Sequence, residues 1–177
     1  MNSEFRIQNS EFEALAFIAL GSNLGDSVQI FREALTRLQQ FSIAPLLKSS
    51  LWRTAPVDCP PGSPVFLNAV AALMPRPDET PESLLEKLQL LEREFGRRQK
   101  EILNEPRPLD LDLIAFGSET RNPPQLVLPH PRAHLRRFVL QPLSEIAPRF
   151  VLPGQTKSVA EILAVLPADG VMKQVLS

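Results

Sequence analysis

The chain alternates between short apolar runs and longer segments in which apolar residues recur every three or four positions. The run at residues 15–20 predicts a buried strand. Ile30, Leu35 and Leu38 then predict a helix, and Pro81 opens a second one, since the first turn of a helix does not need the N–H that proline lacks. Further strands are predicted within residues 43–54, 65–73 and 109–116, and further helices at 131–140 and 159–166.

The order of these elements is strand–helix–strand–strand–helix–strand, followed by a C-terminal addition. This order favours an α+β fold, a split βαβ sandwich in which helices pack on a mostly antiparallel sheet. The length of 177 residues fits one domain, which we assign to residues 15–177. Residues 1–14 contain Asn-Ser-Glu-Phe twice, and we expect them to form an unstructured N-terminal extension.

Charge is nearly balanced over the whole chain but not along it. The formal net charge of −1 gives no support to general attraction for nucleic acids or membranes. Many arginines nevertheless fall between residues 93 and 137. A solvated basic face is the common outcome of such a cluster, but guanidinium groups also match phosphate oxygens, so a polyphosphate pocket and a nucleic-acid surface both stay open.

The remaining composition indicates a cytoplasmic protein. Cys59 is the only cysteine, so no internal disulfide can form, which suits a reducing compartment. No apolar run reaches the roughly 18 residues of a membrane-spanning helix. The N-terminus also lacks the basic and then apolar order of a secretion signal. The near-zero net charge also weakens the nucleic-acid alternative, so we expect neither a membrane nor a nucleic acid as partner.

The strongest local signal for chemistry is the segment Pro106–Arg107–Pro108 followed by alternating leucine and aspartate. In a strand, Asp110 and Asp112 share one face and the leucines the other. Adjacent carboxylates repel each other, and their oxygens suit Mg²⁺, which completes its shell with water and substrate phosphates. An aspartate pair alone is weak support, but Arg107 lies three residues earlier, and cations beside metal-binding carboxylates are typical of phosphoryl transfer.

Other motifs for phosphate or metal chemistry are missing or ambiguous. No P-loop and no protein-kinase signature is present in the sequence. Gly21-Ser22 resembles the Gly-Ser element of nucleotidyltransferases, but those enzymes place their acidic pair shortly after it, whereas Asp110 lies far downstream, so we discount that interpretation. His130 and His134 form an HxxxH pair without a following glutamate, so zinc is a weak interpretation beside a phosphate contact or a structural histidine.

Several blocks together resemble one family, the 6-hydroxymethyl-7,8-dihydropterin pyrophosphokinases of folate biosynthesis. The resemblance runs from about residue 17 to residue 148 and depends on all the blocks occurring in order at the expected spacings. The blocks are Ala-Leu-Gly-Ser-Asn-Leu-Gly-Asp at 19–26, Arg-Thr-Ala-Pro at 53–56, Phe-Leu-Asn-Ala-Val at 66–70, Pro-Arg-Pro-Leu-Asp-Leu-Asp at 106–112, Leu-Pro-His-Pro at 128–131 and Gln-Pro-Leu-Ser-Glu-Ile-Ala-Pro at 141–148.

The resemblance implies a ferredoxin-like βαββαβ sandwich and assigns roles to individual residues. It implies that two Mg²⁺ ions bind with ATP at Asp110 and Asp112, and that Arg97 and Arg107 act with them in catalysis. The positions that match nucleotide contacts are Gln89, Glu92, Arg107, His130 and Arg136. The positions that match pterin contacts are Thr54, Ala55, Val57, Phe66, Asn68 and Phe138.

Residue chemistry agrees with the pterin assignments but does not require them. Two aromatic faces can stack on a flat ring, and an asparagine amide matches a pterin edge, since it offers a donor and an acceptor. Phe66 and Phe138 could equally be core residues, and Asn68 could cap a neighbouring loop.

The reaction implied is an in-line attack of the pterin hydroxyl on the β-phosphorus of ATP, which releases AMP. Gln99, Asn104 and Pro131 depart from the family pattern, where Arg, Trp and Tyr are common. A catalytically silent pterin-binding protein is therefore an alternative. We expect a monomer that acts on ATP and 6-hydroxymethyl-7,8-dihydropterin.

Overall fold

The computed structural model describes residues 10–56, 59–98, 102–168 and 170–173. The strands in these residues are β1 (Ala16–Ser22), β2 (Leu47–Lys48), β3 (Trp52–Thr54), β4 (Phe66–Leu73), β5 (Asp110–Phe116) and β6 (Met172–Lys173). The helices are α1 (Ser27–Gln39), α2 (Pro81–Glu94), α3 (Arg137–Ile146) and α4 (Val159–Val165), with a 3₁₀-helix at Ala133–Leu135.

Side-chain caps fix where three of these helices begin. Asp26 accepts a hydrogen bond from the N–H of Gln29 (3.1 Å) and so caps α1. Thr80 and Ser158 form capping boxes at the starts of α2 and α4. None of the helices in the described residues is long and apolar enough to cross a lipid bilayer.

The strands form one antiparallel sheet in the order β5–β1–β4–β3–β6, and β2 also pairs with β4. The core of this order, with β1 between β5 and β4, is that of a ferredoxin-like βαββαβ sandwich, so the fold predicted from the sequence is confirmed. A bulge between Phe17 and Ile18 shifts the register of β1 against β5.

Helices cover both faces of the sheet, and each face has its own apolar core. Ile18, Leu20 and Leu111 lie in a buried cluster with residues of α1 and α2. Phe17 and Val70 point to the opposite face, where they pack with residues of α3 and α4. The C-terminal addition is therefore the second covering layer, because without α3 and α4 this face would expose its apolar side chains.

Two sequence predictions change in detail. The strand predicted within residues 43–54 divides into β2 and β3, which both pair with β4. The helix predicted at 131–140 is a 3₁₀-helix followed by α3, which begins at Arg137 and continues to Ile146. Tertiary packing explains this extension, since Leu140 and Leu143 are fully buried against the sheet.

Part of the N-terminal extension predicted at residues 1–14 packs against the folded domain. Residues 1–9 lie outside the described residues, but Phe12 is only 6% exposed. Its ring packs against those of Phe150 and Phe17, with centroids 5.3 and 6.3 Å away. Phe12 is an isolated apolar residue in a polar segment, and its partners are distant in sequence. The local pattern of residues therefore does not predict its burial.

The short strand β6 pairs with β3 next to Trp52, the only tryptophan of the sequence. Trp52 on β3 donates from Nε1 to Glu145 Oε1 of α3 (2.5 Å). Lys173 on β6 lies over the same ring, with Nζ 6.0 Å from its centroid, and pairs with Glu145 at 3.7 Å. Strand, helix and C-terminal segment therefore meet at one side chain.

Candidate active site

The candidate site lies on the sheet face against which α3 packs, around the end of β1. Gly21 is opposite Asp110 of β5 on one side and opposite Asn68 of β4 on the other. A Cβ atom on Gly21 would lie 3.7 Å from Asp110 Cβ and 3.8 Å from Asn68 Oδ1. A larger side chain at this position would therefore fill the space between the carboxylate and the amide.

The two aspartates project from β5 on this face, as the alternation in the sequence predicts. Leu111 and Leu113 are buried on the opposite face. The pKa of Asp112 is raised to about 6, first by burial and then by the nearby Asp110 carboxylate, although Arg136 and two further arginines act against this. A cation beside the pair would favour the ionised form of both, and oxygen donors are the ligands that Mg²⁺ prefers.

Arg97 and Arg107 converge on Asp110 from the two ends of the segment that joins α2 to β5. Arg97 pairs with Asp110 Oδ1, and Arg107 Nε donates to Asp110 Oδ2 at 3.2 Å. Burial lowers the pKa of Arg97, but Asp110 and Glu92 outweigh it, so the pKa is raised. Arg97 is therefore held charged next to the carboxylate pair, and the guanidinium group of Arg107 lies beside the same carboxylate.

Glu92 on α2 connects this arginine to the strand that carries the aspartates. Its Oε1 accepts from the N–H of Leu111 (2.7 Å) and from Arg97 Nη1 (2.6 Å). Among the described strands β5 is at the edge of the sheet, so its outward N–H groups have no neighbouring strand there to bond. The pKa of Glu92 is raised to about 7 by burial, with smaller opposing contributions from Leu111 N–H and Arg97.

His130 and Arg136 bring a neutral and a cationic donor to the same face. Burial, together with Arg136 and Arg132, lowers the pKa of His130 to about 4, so the imidazole is neutral at pH 7. Its Nδ1 accepts from the N–H of Arg132 (3.2 Å), which leaves the proton on Nε2. Burial also lowers the pKa of Arg136, and Arg132 adds to the effect. An anion bound here would favour the charged forms of His130 and Arg136.

Aromatic rings and an amide complete the site. Phe66 and Phe138 are partly buried, and each has a guanidinium group over its ring: Arg107 at 5.3 Å and Arg136 at 5.4 Å from the centroids. Asn68 is 6% exposed, and its Nδ2 donates to Thr54 Oγ1 at 2.9 Å.

The contacts link most of the residues singled out from the sequence. Arg107 joins Asp110 to Phe66, and Gly21 lies between Asp110 and Asn68. Ala55 and Gln89 are exposed, and Val57 lies outside the described residues. The binding and catalytic roles of all these residues stay predictions.

Asn23 is the residue of this region that the sequence interpretation missed. It is 4% exposed and binds the main chain of Arg107 through two hydrogen bonds. Its place in the block at 19–26 was the only available signal, since its partner is 84 residues away.

The zinc interpretation of His130 and His134 gains nothing from the structure. Within the residues described, no three His, Cys, Asp or Glu side chains form a group able to hold a metal. A pair of histidines alone is not a structural zinc site.

Comparison with known proteins agrees on one family. Residues 17–148 match the family model described as 7,8-dihydro-6-hydroxymethylpterin-pyrophosphokinase (HPPK). The 2-amino-4-hydroxy-6-hydroxymethyldihydropteridine pyrophosphokinases of Bacillus subtilis and Haemophilus influenzae are each 40% identical to this chain. The aligned regions cover 75% and 78% of this chain, and 77% and 85% of those proteins.

Longer proteins contain a similar region. The folic acid synthesis protein fol1 of Pneumocystis carinii is 36% identical over 90% of this chain, but the chain spans only 21% of its length. Among solved structures, wild-type HPPK-DHPS of Plasmodium falciparum superimposes with a TM-score of 0.65 at 13% identity. The match covers 85% of this chain and 44% of that one, and at this identity it supports the fold alone.

Proposed function

Because this chain belongs to the 7,8-dihydro-6-hydroxymethylpterin-pyrophosphokinase family, we propose that it transfers pyrophosphate from ATP to the hydroxymethyl group of 6-hydroxymethyl-7,8-dihydropterin. The products are AMP and the pterin diphosphate. This reaction belongs to folate biosynthesis.

One observation carries the proposal: Arg107 contacts both halves of the site. Its guanidinium group donates to Asp110 Oδ2 (3.2 Å) and lies 5.3 Å from the centroid of the Phe66 ring. Phosphoryl transfer needs positive charge beside the transferring group and a fixed acceptor. A guanidinium group between a carboxylate pair and an aromatic face satisfies both needs at once.

The carboxylate pair fits magnesium. Asp110 and Asp112 offer oxygen donors from one face of β5, and the pKa of Asp112 is raised because burial and Asp110 outweigh the arginines nearby, so a further cation would favour its ionised form. We expect these two residues to hold the two Mg²⁺ ions that accompany ATP. When bound, the ions would neutralise phosphate charge and polarise the attacked phosphorus.

The arginines and His130 would bind the triphosphate. Arg97 and Arg107 both pair with Asp110, and an incoming polyphosphate would compete for the same guanidinium groups. Neutral His130, with its proton on Nε2, would donate a hydrogen bond to a phosphate oxygen without adding charge. Gln89 and Glu92 are further proposed nucleotide contacts, and Glu92 is already bonded to Arg97.

The other side of the site would hold the pterin. Phe66 and Phe138 would stack on its two faces, and Asn68 would bind its edge, with Thr54, Ala55 and Val57 nearby. The amide Nδ2 of Asn68 donates to Thr54, and its Oδ1 lies on the side facing Gly21, where it would accept a hydrogen bond from the ring. A ring held this way would present its hydroxymethyl oxygen towards the carboxylate pair.

In the reaction, the pterin hydroxyl oxygen forms a bond to the β-phosphorus of ATP as the bond from that phosphorus to the α,β-bridging oxygen breaks. The hydroxyl proton is released, and AMP departs with the bridging oxygen. Arg97 and Arg107 would stabilise the charge that spreads over the transferring group.

The test is to incubate the protein with ATP, Mg²⁺ and 6-hydroxymethyl-7,8-dihydropterin and to identify the nucleotide product. We expect AMP in a one-to-one ratio with the pterin diphosphate, and no product without pterin or with excess EDTA. ADP would indicate transfer of a single phosphate. Pterin binding without any AMP would instead support the silent binding protein.

We further propose that the protein works as a monomer in the cytoplasm, without a nucleic-acid or membrane partner. The net charge of −1 and the single cysteine support this. Size-exclusion chromatography with light scattering tests the first point, since a dimer would double the mass of 19.8 kDa.

A further inference from the structure

Asn23 is a buried polar residue that the reaction described above does not use. It follows directly after β1 and is 4% exposed, between the buried Ser22 and the exposed Leu24. A buried amide is costly unless it is hydrogen-bonded, so its partners indicate why the chain keeps it there.

The hydrogen bonds of Asn23 reach two distant segments. Its Oδ1 accepts from the N–H of Arg107 (2.9 Å), and its own N–H donates to the carbonyl of Arg107 (3.2 Å). Its Nδ2 donates to the carbonyl of Pro64 at 3.4 Å. These partners are 84 and 41 residues away, so one residue holds the end of β1, the approach to β5 and the approach to β4 together.

The two segments held by Asn23 carry side chains that contact each other. Pro64 is two residues before Phe66, and the Arg107 guanidinium lies 5.3 Å from the centroid of the Phe66 ring. The same guanidinium donates to Asp110 at 3.2 Å. Asn23 therefore binds the main chain on both sides of the contact that joins the two halves of the site.

We propose that Asn23 is a positioning residue that fixes the spacing between the Arg107 guanidinium and the Phe66 ring. Its catalytic meaning depends on the proposed function, in which Arg107 acts on the transferring group and Phe66 holds the acceptor. Every contact of Asn23 described above is to main-chain atoms, so it acts through these two residues. Misalignment should therefore lower kcat more than it weakens the binding of ATP.

Two substitutions separate the hydrogen bond of Asn23 to Arg107 from its hydrogen bond to Pro64. Asn23→Ala removes the acceptor for Arg107 N–H and the donor to Pro64 together. Asn23→Asp keeps an acceptor for Arg107 N–H but places a carboxylate oxygen against the Pro64 carbonyl. Ser158→Ala is the matched control, because it removes a side-chain cap of α4, away from Asn23.

The experiment measures three quantities in each variant. Amide hydrogen exchange of Arg107 followed by NMR reports the Asn23 contact without any substrate, the rate of AMP formation gives kcat and KM, and pterin fluorescence gives pterin affinity. In Asn23→Ala we expect lost protection of Arg107 N–H and a fall in kcat of about 10- to 100-fold. In Asn23→Asp we expect protection and most of kcat to remain, with a raised KM for pterin.

Other results would overturn the proposal. They are unchanged protection and kcat in Asn23→Ala, an equal loss of kcat per folded molecule in Ser158→Ala, or wild-type pterin KM in Asn23→Asp. If Asn23→Ala does not fold, Asn23→Asp decides the question, because it must keep most of kcat while its KM for pterin rises. A wild-type protein that makes no AMP would instead reject the proposed function, while the exchange of Arg107 N–H would still test the contact.

Discussion

The burial that raises the pKa of Asp112 lowers the pKa of His130, since in both cases the charged form loses solvation. Neighbouring charges act in the same direction as burial. Asp110 disfavours a negative charge on Asp112, and Arg136 and Arg132 disfavour a positive charge on His130. The ligand-free site therefore disfavours ionised Asp112 and protonated His130. A magnesium-bound polyphosphate would supply the missing charge of each sign.

Adjacent carboxylates should differ in their effect on stability. Asp110 is paired with two arginines, whereas Asp112 has a pKa raised from 3.8 to about 6. Ionisation of Asp112 thus costs folding free energy as the pH rises from 3.8 through 6. At pH 8 in EDTA we expect Asp112→Asn to raise the free energy of unfolding by about 1–3 kcal/mol and Asp110→Asn to lower it.

Urea unfolding at pH 8 and at pH 4 measures this difference, and the gain in Asp112→Asn should shrink at the lower pH. Both variants should lose AMP formation, because each removes a proposed metal ligand. Near-normal turnover in either one would reject the metal site.

Arg107 and Asn68 should affect different kinetic constants. Arg107→Ala removes a group proposed to stabilise the transferring charge, so kcat should fall by about 10³-fold or more with little change in pterin affinity. Asn68→Ala removes only a contact to the ring edge, so it should mainly raise KM for pterin. Steady-state kinetics with pterin fluorescence titration separates the two. A pure loss of pterin affinity in Arg107→Ala would contradict its assigned role.

His130 should titrate unusually low. Its pKa is lowered from 6.5 to about 4, so it contributes stability that is present above pH 6.5 and is lost as the pH falls towards 4. NMR titration of the ligand-free protein should show one imidazole with a pKa near 4. Its signal is assigned by its loss in His130→Gln and its retention in His134→Gln. An ordinary pKa for His130 would mean that the ring is solvated and away from Arg136.

At the scale of elements, the site depends on how α2 meets the edge of β5. Glu92 uses one oxygen for both the Leu111 N–H and Arg97, so the helix, the strand and Arg97 share a single anchor. The amphipathic pattern of α2 predicts the helix but not the role of Glu92. The pattern carries no information that β5 is an edge strand whose Leu111 N–H needs an acceptor. The assignment of Glu92 as a nucleotide contact came only from the family resemblance.

Two substitutions of Glu92 should separate the hydrogen bond from the charge. Glu92→Gln keeps an acceptor for Leu111 N–H, whereas Glu92→Leu leaves that buried N–H without a partner. We expect Glu92→Leu to be less stable than Glu92→Gln by about 1–3 kcal/mol. Urea unfolding at pH 8 measures the difference, and equal stabilities would show that the N–H reaches water.

At the scale of the whole molecule, the sequence predicts what repeats locally and misses what joins distant segments. The alternation of leucine and aspartate from residue 109 to 113 predicts β5 and its two faces, since side chains in a strand alternate. The contacts of Asn23 join residues 41 and 84 positions apart, which no local period encodes. Phe12 was missed for the same reason, because its partners Phe17 and Phe150 lie in different layers.

Phe12 provides a test of how far the folded domain extends. If it is part of the core, Phe12→Ala should lower the free energy of unfolding by about 3–5 kcal/mol. The exposed neighbour Glu13 is the control, and Glu13→Ala should change it by less than about 0.5 kcal/mol. Thermal or urea unfolding compares them, and equal effects would return residues 10–14 to an extension that does not contribute to the fold.

The setting of Trp52 gives this protein a built-in optical reporter. The sequence contains one tryptophan, and it lies opposite Asn68 in the sheet, bonded to Glu145 and covered by Lys173. Light absorbed at the red edge of the aromatic band is therefore emitted from one known place, at the border between the proposed pterin site and the C-terminal strand. Its colour and quenching can follow events at that border without any attached dye.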